Sequence, residues 1–168
     1  MRLLILVCAV SFYAAAQCPA TIQSPGTLFV PPAPYSRTAG SHGFWYGSDN
    51  LWTHISGPDF AVSGTDHISA KLTYFRVGFD SDKEPEPDLA VVARRLDGSA
   101  PLVWAEKAAG VKFGGSNAPS EMAMMTGISI PTAGCWEISS NYKGRVLTYV
   151  VNVTEQVPRR NHAPAPTR

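Results

Sequence analysis

The segment from Ile128 to Thr154 constrains the fold of this chain more than any other. It holds two runs in which apolar and polar residues alternate, and Lys143-Gly144 separates them. Alternation with a period of two is typical of β-strands with one buried face, and a short Gly-containing break between two such runs predicts a β-hairpin. The P-T-A-G-C-W stretch at the start predicts the corner that leads into the penultimate strand of an immunoglobulin-like sandwich.

The hairpin also predicts which side chains form the core. Successive side chains of a strand point to opposite faces of the sheet, so one face of each strand collects the large apolar residues. The predicted core residues on that face are Trp136, Ile138, Leu147, Tyr149 and Val151. The same register turns Cys135 away from the core.

Short strand candidates with turn signals between them recur along the rest of the chain. They are Leu28–Val30, Phe44–Tyr46, Leu51–Ile55, Ile68–Phe79, Leu89–Leu96, Leu102–Trp104 and Met122–Ile130. Residues 105–109 predict a single helical turn. This spacing favours an all-β fold, and we predict an immunoglobulin-like antiparallel β-sandwich of about seven or eight short strands over residues 42–157.

The first sixteen residues predict a signal peptide. Arg2 precedes an apolar run, and three alanines before Gln17 offer a cleavage site. The run is shorter than the roughly 20 apolar residues of a spanning helix. The protein is therefore expected to be secreted, or to lie in the periplasm or cell envelope. A retained membrane anchor and a lipid on Cys18 are the alternatives, although Gln17 is larger than the residue that usually precedes a lipidated cysteine.

Cleavage at Gln17 would remove Cys8 and leave Cys18 and Cys135. An even pair of cysteines in an oxidising compartment predicts a disulfide. In the chain-entropy model, a bridge across so long a loop stabilises the fold by at most about 5 kcal/mol. Two free thiols remain the alternative.

Composition separates the flanks from the domain and excludes some partners. Residues 17–41 are rich in Pro and Ser, and residues 158–168 offer so little to bury that we predict a disordered tail. The formal net charge is only +1. That balance gives no basic face for nucleic acid and no strong attraction to a membrane surface. Membrane contact is expected only through the signal peptide or a lipid on Cys18.

No residue pattern indicates a catalytic, cofactor or structural metal site. The histidines, His42, His54, His67 and His162, are scattered without zinc or copper spacing. No G-x-S-x-G is present, so a small secreted hydrolase is the weakest alternative. The acidic loop Asp80–Asp88 offers carboxylates that calcium prefers, but it lacks the EF-hand pattern, which favours a solvated loop.

Aromatic residues are the strongest candidates for a binding site. Trp45, Tyr46 and Trp104 lie in short strand candidates where exposed rings could stack on sugars or anchor a partner. Large aromatic residues at strand spacing also serve as core, and both interpretations remain open for these three. A carbohydrate-binding module is therefore the first alternative function.

Several segments, taken in order, resemble a set of secreted bacterial proteins of unknown function, as from Acidobacteria. They are A-A-A-Q-C-P, W-Y-G-S-D-N-L-W-T, K-L-T-Y-F-R, A-R-R-L-D-G-S-A-P-L, P-T-A-G-C-W-E-I and L-T-Y-V-V-N-V. The acidic loop has no counterpart in that resemblance. The resemblance implies export and an immunoglobulin-like fold, and it implies no catalytic residue. Together with the residue patterns, it predicts an exported, non-enzymatic protein that binds a protein or glycan partner, or has a structural role, at the cell envelope.

Overall fold

The computed structural model describes residues 18–24, 29–37, 39, 43–56, 59–62, 68–114 and 121–155. Over these residues the chain forms ten β-strands. In chain order they are β1 (Phe44–Ser48), β2 (Leu51–Ile55), β3 (Asp59–Val62), β4 (Ile68–Phe75), β5 (Leu89–Arg95), β6 (Val103–Trp104), β7 (Ala109–Phe113), β8 (Glu121–Ile130), β9 (Gly134–Tyr142) and β10 (Arg145–Glu155). The predicted signal peptide and the predicted C-terminal tail lie outside the described residues.

The strands form two five-stranded sheets that pack face to face. The first sheet has the order β1-β2-β4-β8-β7, and the second has the order β3-β10-β9-β5-β6. Neighbouring strands are antiparallel, except that β3 runs parallel to β10. The order β2-β4-β8-β7 facing β5-β9-β10 is that of immunoglobulin strands A-B-E-D facing C-F-G. The predicted all-β sandwich is thus confirmed, with ten strands in place of the seven or eight expected.

No helix of the described ranges is both long and apolar enough to cross a lipid bilayer.

The hairpin of β9 and β10 forms at the predicted turn. Lys143 and Gly144 both have positive φ, 49° and 76°. Two consecutive positive φ angles define the type I′ turn, whose twist matches that of the flanking strands. The Gly144 N–H donates a hydrogen bond to the side-chain oxygen of Asn141 at 3.1 Å, which fixes the turn.

The core between the sheets is centred on this hairpin. The five residues assigned to the core from the alternation pattern are all buried: Trp136 and Ile138 at 0% exposure, Val151 at 1%, Tyr149 at 4% and Leu147 at 8%. The Trp136 indole N–H donates to the carbonyl of Thr132 at 3.1 Å, so its one polar group is satisfied. The hydroxyl groups of Tyr74 and Tyr149 lie 3.2 Å apart across the core.

A second apolar cluster lies on the outer face of the first sheet. Residues 18–24 and 29–37 form an extended segment, here called the strap, and its Tyr35 and Phe29 cover Trp52. Tyr35 meets Trp52 edge-on at 5.0 Å between ring centroids and donates a hydrogen bond to the carbonyl of Arg76 at 3.0 Å. The described part of the Pro/Ser-rich segment is therefore packed on the sandwich rather than separate from it.

Several features of the chain differ from the sequence-based expectation. The predicted strand Leu28–Val30 is not a strand over its described residues Phe29 and Val30, which precede two prolines that have no N–H to donate. The predicted strand Ile68–Phe79 ends at Phe75, since Val77 and Gly78 form a turn.

Residues 105–109 form no helical turn; Ala109 instead begins β7, which pairs with β8. Strands β3 and β7 were not predicted. Both are short edge strands with few large apolar residues, so their pairing with a neighbouring strand decides their conformation more than their own sequence does.

Candidate functional site

The strap is fastened at its start by a disulfide. Cys18 and Cys135 are bonded with their Cα atoms 5.3 Å apart, although they are 117 residues apart in sequence. Cys135 lies on the outer face of β9, and it is only 2% exposed. Three residues after Cys18, Thr21 donates its backbone N–H to the carbonyl of Val150 at 2.8 Å, and its side-chain hydroxyl accepts a hydrogen bond from the Val150 N–H at 2.9 Å. The strap therefore continues the hydrogen bonding of β10 at the edge of the second sheet.

The backbone that carries Cys135 is also fixed from the β5 side. A carboxylate oxygen of Asp97 accepts a hydrogen bond from the Cys135 N–H at 2.9 Å, and the other accepts from Arg95 at 2.7 Å. Both hydrogen bonds lower the pKa of the Asp97 carboxyl, and the one from Arg95 has the larger effect. The anchoring point of the strap is thus held rigidly by its neighbours.

A cleft of about 590 Å³ opens where the strap passes the free edge of β1. It is lined by residues 22–24 and 29 of the strap, by residues 44–48, 50 and 51 around the β1–β2 turn, and by residues 144–147 of the hairpin. We call it the Trp45 cleft. Its walls come from three parts of the chain that the disulfide and the two sheets hold together.

Two of the three predicted aromatic site residues, Trp45 and Tyr46, are half-buried and contribute to the lining of this cleft. As neighbours on β1 they direct their side chains to opposite faces of the first sheet, Trp45 to the outer apolar cluster and Tyr46 to the core. The Trp45 ring packs edge-on against Phe75 at 5.3 Å and against His54 at 5.5 Å between centroids. The Tyr46 hydroxyl donates a hydrogen bond to the carbonyl of Thr148 at 3.2 Å. Both rings are therefore held in place before any ligand arrives.

The charge of the Trp45 cleft comes from Arg145. It is the one ionisable Asp, Glu, Lys, Arg or His side chain among the lining residues, and it is exposed. Within the described part of the chain, no carboxylate forms a salt bridge with it. A guanidinium group offers planar, forked donors that match a carboxylate or a phosphate. The cleft therefore combines ring-shaped apolar surface with one anion-binding group.

The third predicted aromatic residue lies elsewhere. Trp104 is on β6, an edge strand of the second sheet, and β5 and β9 lie between it and β10. Its side chain is 65% exposed. Because β1 lies beside the β10 edge of the sandwich, Trp104 and the Trp45 cleft are separate surfaces.

A second cavity of about 430 Å³ lies on the other side of the hairpin turn. The Tyr142 hydroxyl and the Lys143 ammonium both donate to one oxygen of Glu84, at 2.7 and 2.6 Å. The hydrogen bond from Lys143 is the main cause that lowers the pKa of Glu84, whereas burial raises the pKa of Tyr142. Glu84 is thus engaged in holding the loop against the hairpin.

The acidic loop directs its carboxylates at lysines. The four ion pairs are Asp80–Lys83, Asp82–Lys112, Glu84–Lys143 and Glu86–Lys107. Three of these lysines come from other parts of the chain. Among the residues that the structure describes, no group of three or more His, Cys, Asp or Glu side chains is placed to hold a metal ion. The geometry of the loop favours its role as a connector between strands.

His54 is the one described histidine, and its surroundings do not form a hydrolytic triad. Its Nε2 lies 2.7 Å from the carbonyl of Ala39, and its Nδ1 lies 3.5 Å from the Ser56 hydroxyl. A triad would place a carboxylate where this backbone carbonyl is. Ser41-His42 lies outside the described residues.

Sequence reasoning did not find Arg145 or the strap residues Ile22 and Gln23 as parts of a site. Ile22 is 63% exposed. Long-range contacts bring the strap to the cleft, namely the disulfide and the hydrogen bonds between Thr21 and Val150, and no local pattern indicates them. Arg145 lies directly after the predicted turn, and this position could have suggested it as a candidate site residue.

Comparison of the chain with protein-family models, with curated proteins and with solved structures gave no match.

Proposed function

We propose that this chain is an exported binding protein of the cell envelope without catalytic activity, and that the Trp45 cleft takes its ligand. The observation that carries the proposal is the cleft itself: a concave site of about 590 Å³ to whose lining Trp45 and Tyr46 contribute, Trp45 held by Phe75 and Tyr46 by its hydrogen bond to Thr148. Concave sites that combine aromatic walls with a few polar groups are typical ligand sites.

Export is supported by three features. The first sixteen residues have the pattern of a signal peptide. The Cys18–Cys135 disulfide is compatible with an oxidising compartment. The resemblance to secreted bacterial proteins supports the same location.

The chemistry of the cleft favours a negatively charged ligand with a ring. A pyranose ring presents a face of C–H groups that stacks on Trp or Tyr, and a carboxylate on that ring would pair with Arg145. Side chains of Gln23 and Asn50 add amide groups that can bond to hydroxyls. An acidic sugar therefore fits the site better than a neutral one.

Trigalacturonic acid and its methyl ester are matched probes for this proposal, because they differ in charge and share the same rings. Calorimetric titration is expected to show binding of the acid and weaker binding of the ester. Arg145→Gln should remove the preference for the acid, whereas Arg94→Gln, on the outer face of the second sheet, should leave it intact. The proposal is wrong if neither probe binds, or if the two arginine variants behave alike.

A further inference from the structure

The outer face of the second sheet presents a straight row of side chains across four strands. In register, Trp104 on β6 lies beside Val92 on β5, Val92 beside Ser139 on β9, and Ser139 beside Thr148 on β10. The Ser139 and Thr148 hydroxyl groups are 3.1 Å apart. With strands about 4.8 Å apart, the row is roughly 14 Å long. We call this surface the Trp104 face.

The rows beside it continue the same mixed character. Ala90, Asn141 and Val146 form one neighbouring row, and Arg94, Glu137 and Val150 form the other. Most of these side chains are small or uncharged. A flat sheet face of this kind offers hydroxyl, amide and apolar groups without a deep pocket.

The Trp104 face has no net charge. Its charged side chains on the described strands are Arg94 and Glu137, and they pair with each other at 2.9 Å. An anionic or cationic partner therefore finds no unpaired charge of opposite sign here. Charge complementarity favours a neutral partner.

The exposed indole supplies the anchor. Trp104 is 65% exposed, and Leu102 beside it is 54% exposed. Trp is among the residue types that are enriched in the energetic hot spots of binding surfaces. An indole at one end of a row of hydroxyls matches a sugar chain, which needs an apolar surface for its C–H faces and hydrogen-bonding groups for its hydroxyls.

We propose that the Trp104 face binds an extended neutral polysaccharide, with one sugar ring stacked on Trp104 and the following rings lying toward Thr148. This site is separate from the Trp45 cleft and does not depend on the cleft function. It adds a second binding surface with a different charge preference, since the face favours a neutral ligand and the cleft an acidic one.

A second copy of the chain fits this face less well. The core of a stable protein–protein interface is a continuous apolar patch of fully buried side chains. Here hydroxyl groups interrupt the row after Val92, and an ion pair lies in the adjoining row. A dimer would have to desolvate these groups, whereas a polysaccharide can bond to them.

Affinity gel electrophoresis tests the proposal with two polymers that share a β-1,4-glucan backbone. Hydroxyethyl cellulose is neutral and carboxymethyl cellulose is anionic. We expect the protein to be retarded by the neutral polymer, and Trp104→Ala to weaken this binding by about tenfold or more, the loss typical of an aromatic hot spot. Trp104→Phe should retain part of the binding, and Phe113→Ala, which removes another exposed ring on the other sheet, should retain all of it.

Three results would overturn the proposal. The first is the absence of retardation by the neutral polymer. The second is retardation that Trp45→Ala removes and Trp104→Ala leaves unchanged, which would place the sugar in the cleft. The third is a dimer in light scattering that Trp104→Ala converts to a monomer, which would make the face a contact between two copies.

The Trp104 side chain is exposed, so Trp104→Ala should keep the thermal stability of the parent protein, and the loss of binding can be assigned to the face.

Discussion

The hydroxyl group of Tyr46 donates a hydrogen bond to the carbonyl of Thr148, 3.2 Å away, and so joins the edge strand of one sheet to the last strand of the other. The Tyr46 ring also packs edge-on against Tyr149, with 6.3 Å between centroids. These contacts close the sandwich beside the Trp45 cleft. A cleft with rigid walls loses less conformational entropy on binding, which favours affinity.

Removal of the disulfide should destabilise the protein and loosen the strap. For the double variant Cys18→Ala/Cys135→Ala we expect the free energy of unfolding to fall by up to about 5 kcal/mol, because the bridge closes a very long loop in the unfolded chain. Urea unfolding measures this directly. Thr21→Val, which removes one strap hydrogen bond and keeps the bridge, should cost only about 1 kcal/mol. Alkylation of the unfolded parent protein without prior reduction should leave its intact mass unchanged, and a mass increase from two alkyl groups on Cys18 and Cys135 would show that the bridge is absent.

Two tryptophans should respond very differently to the same substitution. Trp136→Ala removes a fully buried ring from the centre of the core, and we expect a loss of roughly 3–5 kcal/mol in stability. Trp104→Ala removes an exposed ring and should change stability by less than about 0.5 kcal/mol. Denaturant unfolding of both variants compares them. Similar losses in the two would contradict the assignment of Trp136 to the core and Trp104 to the surface.

How far the sequence predicts this structure depends on how local each signal is. The turn at Lys143-Gly144 and the burial of Trp136 follow from alternation and from turn chemistry, both of which act over a few residues. By contrast, β2 is buried on both faces, and its sequence alone cannot say what covers Trp52 from outside. The answer, Tyr35, lies in a Pro-rich segment that local rules assign to a connector.

The same distinction applies to the candidate site. Trp45 and Tyr46 could be chosen as candidate site residues from the chemistry of their aromatic side chains alone. That these two share a cleft, and that Trp104 does not, depends on which strands lie at the edges of the two sheets. Arg145 lines the cleft because β9 pairs with β10 and because the strap passes beside this hairpin. Neither feature can be predicted from a single position of the sequence.

Calcium should not stabilise the acidic loop. The carboxylates of Asp80, Asp82, Glu84 and Glu86 are each paired with a lysine, so a cation would have to displace an ammonium group at every one of them. We expect the same melting temperature in excess calcium and in excess chelator. A saturable rise in melting temperature with calcium would contradict this account of the loop.

Alkaline pH should unfold the protein through its buried phenols. Burial is the main cause that raises the pKa of Tyr149 to about 12, whereas the phenol of an unfolded chain has a pKa near 10. The pKa of Tyr149 is thus higher in the folded protein than in the unfolded chain. Burial of the neutral phenol therefore stabilises the fold fully below pH about 10, and this contribution is lost as the pH rises through about 12.

Urea unfolding at a series of alkaline pH values measures this effect. Tyr149→Phe should reduce the fall in the free energy of unfolding over that pH interval. Part of the fall should remain in this variant, because burial also raises the pKa of Tyr74. An identical pH dependence in the variant and the parent protein would show that Tyr149 is not responsible.

The most direct test of the central claim, that the Trp45 cleft is the ligand site, is a nuclear magnetic resonance titration of the isotope-labelled protein with trigalacturonic acid. We expect the backbone amide shifts to change around residues 44–50 and 144–147, and Arg145→Gln to suppress these changes. Shifts that cluster on the Trp104 face or the acidic loop, or spectra that do not change, would contradict it.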